Sequence, residues 1–432
     1  MADKFNNSCI SLDNEGSKQK QDTSALDFET LQEIQKATDH FKELLIGQAK
    51  RHQKIKGEKT TDENGENKHQ SLEKGSNVKG NKSDHEKVVI GVCGGDGIGP
   101  IITGSTGQVL QHLLRTRLEK GSVEIRNIDG LTIDNRMAQN APVPDDVLAE
   151  IKECTVLLKG PTTTPKGGTM GSANVTLRRE LDLYANVRPV KVEEEGIDWI
   201  FFRENTEGEY VLGNDGISIG NQVAVDFKVI THEGTRRIAV AAFEHARKTG
   251  KKKVSIVTKA NVIKTTDGMF SQICHKVAED YPEIEVDEWY VDIVTAKLLD
   301  AKRRSEFSVF VLPNLYGDIV TDEAAELQGG VGTAGSANIG SRYAMFEAIH
   351  GSAPRMIERG YGQYANPASM LKASEMMLEH LGFKEELEIL QTALDITLNK
   401  EKRLVVTGRE TGATCQEFTD YVIETISKLQ SQ

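Results

Sequence analysis

Residues 87–100 read KVVIGVCGGDGIGP, a short apolar run that passes directly into a series of glycines. The apolar run predicts a buried strand, and the glycines predict a tight turn into a helix. Strand-like runs then alternate with helix-like runs along much of the remaining chain. Such alternation predicts an α/β protein with a substantially parallel sheet. Further strands are predicted at residues 124–127, 155–158, 199–203, 254–258 and 309–312.

Two glycine motifs bear on the kind of α/β fold. Residues 330–335, GVGTAG, match the GxGxxG pattern of dinucleotide-binding loops, but they follow an apparent helix at residues 322–328 instead of a strand. Residues 95–100, GDGIGP, do follow a strand, yet proline stands where the third glycine of that pattern should fall. We therefore predict an α/β fold other than the Rossmann fold.

The first 86 residues differ in composition from the rest of the chain. Apolar residues recur at roughly helical spacing between residues 25 and 49, which predicts one amphipathic helix. Residues 51–84 mix Lys, Glu, Gly, Asn and Ser and cannot bury enough apolar surface to offset the entropy of ordering, so a disordered linker is predicted. A polar, strand-rich stretch at residues 210–238 interrupts the later alternation and is predicted to belong to a smaller domain.

Composition limits the partners and the compartment. The chain has 432 residues, of which 38% are hydrophobic, enough for two domains. A net charge of −12 argues against nucleic acid and anionic membranes as partners. The five cysteines form no CxxC pair, which argues against a zinc site and a disulfide framework and favours a reducing cytosol. The stretch MADKF at residues 1–5 lacks the apolar run of a secretion signal, so we predict a cytoplasmic protein.

Polar donors and arginines lie around one predicted helix-to-strand junction in residues 172–189, SANVTLRRELDLYANVRP. Ser172 and Asn174 stand where a helix would begin, and the free N–H groups of a helix start favour anions. Arg178 and Arg188 can each offer a planar fork of donors to a carboxylate. One interpretation is a site that binds carboxylates. The other is a helix with surface arginines.

Asp318 and Asp322 lie four residues apart, just behind the predicted strand at 309–312 and where a helix should start. At that spacing both carboxylates face the same side, an arrangement that suits Mg²⁺ or Mn²⁺. The alternative is a pair of helix-start acids that complement the helix dipole. Asp292 follows an apolar run and is a candidate third ligand, although a single aspartate there is also a common helix cap.

Together these segments resemble the β-decarboxylating 2-hydroxyacid dehydrogenases, the group that contains the isocitrate, isopropylmalate, homoisocitrate and tartrate dehydrogenases. The resemblance covers residues 87–426 and implies an isocitrate/isopropylmalate dehydrogenase-like α/β fold. It implies a large domain from residues 87–183 and 329–432, a smaller domain from residues 184–328, and an extension at residues 1–86. The segments that carry the resemblance are GDGIGP (95–100), FRENTEGEY (202–210), KANVIK (259–264), NLYGDIVTD (314–322) and FEAIHGSAP (346–354).

The resemblance also implies the roles of individual residues. It assigns proton transfer to Tyr210 and Lys259. It assigns the substrate to Ser172, Asn174, Arg178, Arg188, Arg203 and Asn261. It assigns the metal ion, Mg²⁺ or Mn²⁺, to Asp292, Asp318 and Asp322. It assigns the nicotinamide cofactor to Thr164, Glu347, His350, Gly351, Ala353 and Asn366.

Within this group, the pattern of Ser172 and Asn174 ahead of Arg178 resembles that of the isocitrate dehydrogenases. In those enzymes the serine and the asparagine contact the third carboxylate of the substrate. Isopropylmalate enzymes place apolar residues there, because an alkyl group needs a dry pocket. The implied reaction is oxidative decarboxylation of isocitrate, a small tricarboxylate, to 2-oxoglutarate. In this group the segments that match Lys259, Asn261 and Asp292 reach into the active site of the second subunit. The resemblance therefore implies a homodimer or a higher homo-oligomer.

The sequence leaves open the identity of the cofactor and two alternative functions of the protein. Arg355 and Met356 match neither the NAD nor the NADP pattern of the group, and Arg355 could pair with a 2′-phosphate. Residues 407–418 resemble NAD-type members, so NAD is predicted, with NADP as the alternative. Homoisocitrate or isopropylmalate dehydrogenase is a second possible activity. A non-catalytic regulatory subunit is the alternative outside enzymes, but the implied catalytic residues are all present, which favours an enzyme.

Overall fold

The structure is a computed structural model, which describes residues 28–58, 87–165, 170–213 and 215–431. The described strands are β1 Val88–Cys93, β2 Val123–Asn127, β3 Val156–Lys159, β4 Ala185–Val192, β5 Ile197–Glu204, β6 Ile217–Ile219, β7 Val223–Val225, β8 Lys253–Thr258, β9 Glu285–Tyr290, β10 Val309–Leu312, β11 Gly335–Ile339 and β12 Ala344–Ala348. The strands predicted from the sequence correspond to β1, β2, β3, β5, β8 and β10, so each is confirmed. The helix-to-strand junction predicted within residues 172–189 corresponds to α6 and β4, whereas the sequence prediction missed β9, β11 and β12.

Helices connect most of these strands. They are α1 Phe28–Glu58, α2 Gly99–Leu113, α3 Arg115–Glu119, α4 Ile133–Ala138, α5 Asp145–Lys152, α6 Ala173–Glu180, α7 His232–Thr249, α8 Thr266–Ala278, α9 Val291–Leu298, α10 Asn314–Leu327, α11 Pro354–Glu358, α12 Ala368–Leu381, α13 Lys384–Asp395 and α14 Cys415–Gln430. None of the helices in the described part of the chain is long and apolar enough to cross a membrane.

The chain divides into two compact units, of which the first comprises residues up to Ile55 together with Gly216–Val225. In this unit the described residues form α1 and the antiparallel hairpin of β6 and β7. The predicted helix is confirmed, but it continues to Glu58, so the prediction of a disordered linker is wrong for residues 51–58. Lys, Arg and Gln in that stretch are good helix formers, and basic residues suit the carboxyl end of a helix. The rest of the predicted linker lies outside the described residues.

The second unit is built on one sheet of ten strands in the order β2-β1-β3-β12-β11-β4-β5-β10-β8-β9. The strands β2, β1, β3 and β12 are parallel to one another, and so are β5, β10, β8 and β9. Between these two blocks, β11 pairs antiparallel with β12 and β4, and β4 pairs antiparallel with β5. The two blocks therefore run in opposite directions. The predicted α/β class with a largely parallel sheet is confirmed.

Helices cover both faces of the sheet, which explains its buried side chains. On β5, Ile200 and Phe202 pack with α7 and α8 on one face, whereas Trp199 and Phe201 pack with α9 and α10 on the other. Successive strand side chains point to opposite faces, so an apolar run such as β5 is stable only when both faces are covered.

The glycine turn behind β1 is as tight as the sequence predicts. Gly95 and Gly97 have φ angles of 73° and 59°, in the left-handed region that favours glycine. A Cβ at position 97 would lie 1.9 Å from the carbonyl oxygen of Ser352, so a larger residue cannot occupy it. The other motif, residues 330–335, follows α10 and leads into β11 instead of a helix. The exclusion of a Rossmann loop at that motif is confirmed.

Candidate active site

Three arginines from separate elements are buried near the middle of the sheet. Arg178 lies in the last turn of α6, Arg188 on β4 and Arg203 near the end of β5. Their exposed fractions are 7%, 4% and 1%, so the interpretation of surface arginines is wrong for this cluster. Buried arginines are rare unless they are paired or serve to bind an anion.

Two carboxylates on α10 lie against these arginines. Arg188 donates to Asp322 Oδ1 at 3.0 Å and to Asp318 Oδ1 at 3.5 Å, and Arg203 Nη1 also donates to Asp318 Oδ1. The hydroxyl of Tyr210 donates to Asp318 Oδ2 at 2.8 Å. The side chains of Asp318 and Asp322 are 35% and 55% exposed, so the carboxylates remain open to solvent while the arginines behind them do not. Residues predicted for substrate, metal and proton transfer thus meet at one place.

The electrostatic environment sets the charge states in this cluster. Burial raises the pKa of Asp318, but Arg203 and Arg188 outweigh burial and hold the pKa below its ordinary value. Burial raises the pKa of Asp322. Burial and the neighbouring Asp318 raise the pKa of Tyr210 to about 12, so its hydroxyl keeps its proton at neutral pH. Burial, together with Arg178, lowers the pKa of Arg203 to about 9.

The start of α6 is arranged as the sequence suggests. Ser172 is the N-cap residue, and its hydroxyl accepts from the backbone N–H of Val175 at 3.5 Å. Asn174 lies in the first turn and accepts a hydrogen bond from the hydroxyl of Thr162 at 3.0 Å. Arg178 follows Asn174 by four residues, about one turn along the same helix.

Glu347 lies among charged partners, although the sequence prediction assigned it to the cofactor. It forms ion pairs with Lys159 at 2.9 Å and Arg178 at 3.1 Å, and it accepts from Asn338 at 2.8 Å. Burial alone would raise the pKa of Glu347, but Lys159 and Arg178 hold it well below its ordinary range. Among the described residues, the contacts of Glu347 therefore anchor Arg178. The sequence analysis missed Lys159, whose signal was a charged residue at the end of the buried run VLLK (156–159).

We expect Lys159→Met to lower the free energy of unfolding by about 3 kcal/mol, because it removes one partner of a fully buried ion pair. The pKa of Glu347 is depressed in the folded state. The stability this carboxylate contributes is therefore present above the pKa of an unfolded glutamate and is lost as the pH falls through the folded pKa. Denaturant unfolding at pH 7 measures the effect. Lys302→Met, at an exposed position, is the control, and a loss equal to that of the control would contradict the expectation.

Lys259 and Asn261 follow β8, and Asp292 follows β9, the last two strands on this side of the sheet. The Lys259 ammonium donates to the carboxylate of Asp292, and that contact lowers the pKa of Asp292. Asn261 lines an open cleft of about 410 Å³ beside Tyr290. No hydrogen bond or ion pair between described residues joins these side chains to Asp318 or Asp322. Among the described residues, no group of three or more His, Cys, Asp or Glu side chains could hold a metal ion, so one chain does not bring the three predicted metal ligands together.

Of the predicted cofactor residues, Thr164 lies on one loop and His350, Gly351 and Ala353 lie on a second loop that contacts it, whereas Glu347 lies in β12 and Asn366 just before α12. The hydroxyls of Thr163, next to Thr164, and Ser352 are 2.7 Å apart. His350 is partly buried, and burial lowers its pKa, which favours the neutral imidazole. The remaining predicted residues are exposed Gly351, Ala353 in the left-handed region with φ 44°, and Asn366, which accepts from the N–H of Ala368 at 2.9 Å.

A family model described as isocitrate/isopropylmalate dehydrogenase matches residues 89–422 of this chain. The chain belongs to this family. The match begins in β1 and ends in α14, so α1 lies outside it. The resemblance inferred from the sequence motifs is confirmed.

Individual members of the family are similar over most of the chain. An NADP isocitrate dehydrogenase of Rickettsia prowazekii is 36% identical over 318 residues, 72% of this chain and 63% of that relative's length. A mitochondrial regulatory subunit of an NAD isocitrate dehydrogenase from Dictyostelium discoideum is 38% identical over 347 residues, 77% of this chain and 90% of the relative. The crystal structure of isocitrate dehydrogenase from Methylococcus capsulatus has a TM-score of 0.68 at 33% identity and covers 78% of this chain and 99% of that one. Relatives named for NAD and for NADP both occur, so the cofactor is not decided by similarity.

Proposed function

We propose that this protein catalyses the oxidative decarboxylation of isocitrate to 2-oxoglutarate, with NAD as the hydride acceptor and Mg²⁺ or Mn²⁺ as the Lewis acid. The convergence of Arg178, Arg188 and Arg203 beside the open carboxylates of Asp318 and Asp322 supports the proposal most directly. A substrate with three carboxylates needs several cationic donors in one place, and a buried guanidinium binds a carboxylate strongly because water does not compete.

The polar start of α6 favours isocitrate over isopropylmalate. Ser172 and Asn174 already accept hydrogen bonds within this segment, which leaves the Ser172 O–H and the Asn174 amide N–H groups to donate to a third carboxylate. Leaving buried polar groups unpaired is costly, so such a site discriminates against an apolar substituent. Homoisocitrate carries the same third carboxylate on a longer chain and remains the alternative to be tested beside isocitrate.

The pair of carboxylates on α10 fits a hard divalent cation. Within the described residues there is no group of three or more His, Cys, Asp or Glu side chains that could hold a metal ion. Mg²⁺ in proteins often takes only one or two carboxylates, with waters or substrate oxygens as its other ligands. Asp318 and Asp322 supply two, and we propose Asp292 of a second chain as the third.

Different residues of this chain would then have different roles in the reaction. When bound, the cation would polarise the C2 oxygen of the substrate, and NAD would accept the hydride from C2. The arginines hold the carboxylates, and Lys259, in its neutral amine form, would accept the hydroxyl proton as a general base. Tyr210 keeps its proton at neutral pH and donates it to the carbon that loses CO₂. The buried arginines and the sheet behind them exclude water from this side of the site.

We propose that two chains share each active site, because Asp292, which Lys259 contacts, does not form a metal-binding group with Asp318 and Asp322 among the described residues of one chain. Chains carrying Tyr210→Phe should be inactive, and so should chains carrying Lys259→Met. When the two are co-expressed, each mixed dimer would hold one site with both defects and one intact site. We expect about a quarter of the wild-type activity to return, as random pairing in a two-fold dimer predicts. Sites built within one chain would give no recovery in this measurement.

For the cofactor, NAD is proposed over NADP. Arg355 is exposed at the start of α11, where it could meet a 2′-phosphate, whereas residues 407–418 favour NAD. A spectrophotometric assay with isocitrate, Mn²⁺ and either cofactor tests substrate, metal and cofactor together. A kcat/KM at least about tenfold higher with NAD, a difference of ~1.4 kcal/mol, is the expected result. A preference for NADP of that size would overturn the choice.

A regulatory subunit without activity is the second candidate, because one relative is named as a regulatory subunit. This chain keeps Tyr210, Lys259 and the three aspartates, all of which a catalytic chain needs. Turnover of isocitrate by the purified chain alone distinguishes the two functions. The cytoplasmic location stays a prediction, since relatives include bacterial chains and chains named mitochondrial.

A further inference from the structure

Asn314, the first residue of α10, touches two parts of the site at once. Its Oδ1 accepts two hydrogen bonds from Arg203, from Nε at 3.0 Å and from Nη2 at 2.7 Å. Its Nδ2 donates to the backbone carbonyl of Glu207 at 2.8 Å. Asn314 is 1% exposed, so water does not replace these contacts. The third nitrogen of the guanidinium, Nη1, is left to face Asp318.

Two glycines allow the chain to pack closely against Asn314 and Arg203. A Cβ at position 208 would lie 2.9 Å from Cβ of Asn314, and Gly208 has a φ angle of 78°. A Cβ at position 317 would lie 2.5 Å from Cγ and 2.7 Å from Cβ of Arg203. Gly317 therefore lets the stem of Arg203 lie directly on α10, one turn after Asn314. The side-chain amide of Asn314 therefore holds the guanidinium of Arg203, and the backbone of Gly317 lies against its stem.

We propose that Asn314 is a positioning residue for the substrate: it fixes the plane of the Arg203 guanidinium so that Nη1 points to the carboxylate of Asp318, on the solvent-accessible side of the site. A guanidinium with five donors can rotate about its stem, and a bidentate contact on one edge selects a single orientation. The same side chain holds the loop that carries Tyr210, through the carbonyl of Glu207. This inference rests on the proposed function, because it concerns how Arg203 meets the substrate.

Steady-state kinetics of Asn314→Ala tests the role. The variant removes both acceptor contacts, and we expect KM for isocitrate to rise about 10- to 100-fold, because a misplaced binding group loses that much. KM for the nicotinamide cofactor should change by less than about twofold, since the proposed cofactor loops are elsewhere. Gly317→Ala leaves Asn314 in place and displaces Arg203 from the other side. It should likewise raise KM for isocitrate and leave KM for the nicotinamide cofactor nearly unchanged. Asn399→Ala, at an exposed asparagine just beyond α13, is the control.

A purely structural role for Asn314 would lower the melting temperature without changing KM for isocitrate, and that result overturns the proposal. Crystal structures of Asn314→Ala give a readout that does not depend on activity. We expect the Arg203 guanidinium to rotate away from its present plane, and an unmoved guanidinium also overturns the proposal. Failure of the wild-type chain to bind or turn over isocitrate would instead refute the proposed function, and the rotation of Arg203 would still decide the role of Asn314.

Discussion

Asp318→Asn is expected to lower kcat/KM for isocitrate at least about 1,000-fold, the largest effect we expect from a single substitution in this site. Asp318 is the carboxylate that Arg188, Arg203 and Tyr210 all contact. Its pKa is held below the ordinary value, so the group is ionised at neutral pH and can bind a cation. An asparagine keeps the shape of the side chain but removes the charge that a divalent cation requires.

The measurement is the rate as a function of Mg²⁺ or Mn²⁺ concentration, with and without a chelator. Wild-type activity should disappear with the chelator and return with the metal, and Asp318→Asn should need a far higher metal concentration or show no rescue. Asp420→Asn, an exposed aspartate on α14, is the control. Unchanged metal dependence in Asp318→Asn would show that the ligand assignment is wrong.

Tyr210→Phe is expected to lower kcat about 100- to 1,000-fold while KM for isocitrate stays nearly constant, because it removes a general acid and leaves the binding arginines in place. The hydroxyl lies 2.8 Å from Asp318 Oδ2, beside the carboxylates, and keeps its proton because its pKa is raised to about 12. The ring of Tyr210 also lies 5.6 Å from the guanidinium of Arg203, a contact that phenylalanine retains. The change is therefore confined to one oxygen atom.

The effect should be measured separately on hydride transfer and on decarboxylation of the β-keto acid. We expect the loss in the second step, since that is where a carbon must gain a proton. Tyr281→Phe is a matched control, because Tyr281 also donates to a carboxylate, Glu244, at 2.8 Å but lies in the core between α7 and α8. If decarboxylation by Tyr210→Phe proceeds at the wild-type rate, the tyrosine is not the proton donor.

Local patterns in the sequence predicted much of the fold. The apolar runs of β1, β5, β8 and β10 were recognisable because strands covered on both faces are almost continuously hydrophobic. The strands β11 and β12 were missed, since each is short and rich in small or polar residues such as Ser336 and Asn338. The predicted end of α1 came too early, because a polar composition suggests a linker even where the residues are good helix formers.

The sequence predicted which residues belong to the candidate site better than it predicted how those residues are arranged. The sequence motifs identified the arginines, Tyr210 and the α10 aspartates, and these do meet. The cofactor role of Glu347 stays a prediction, but the motifs did not reveal that its polar contacts among the described residues are with Lys159, Arg178 and Asn338. A motif shows which residue types occur together along the chain, but it does not show which of them pair across the sheet.

The sequence by itself determined the α/β class, the order of the main strands along the chain and the chemical types available for a site, because each depends on hydrophobic periodicity and residue chemistry over a few neighbouring positions. Only the tertiary structure decided that Arg188 on β4 and Arg203 on β5 both lie against α10, and that Lys159 neutralises Glu347. Arg203 and Asp318 are 115 residues apart in the chain, and Arg188 and Asp322 are 134 apart. Contacts over such separations follow from strand order and register, which place distant residues side by side in a buried environment where opposite charges must pair.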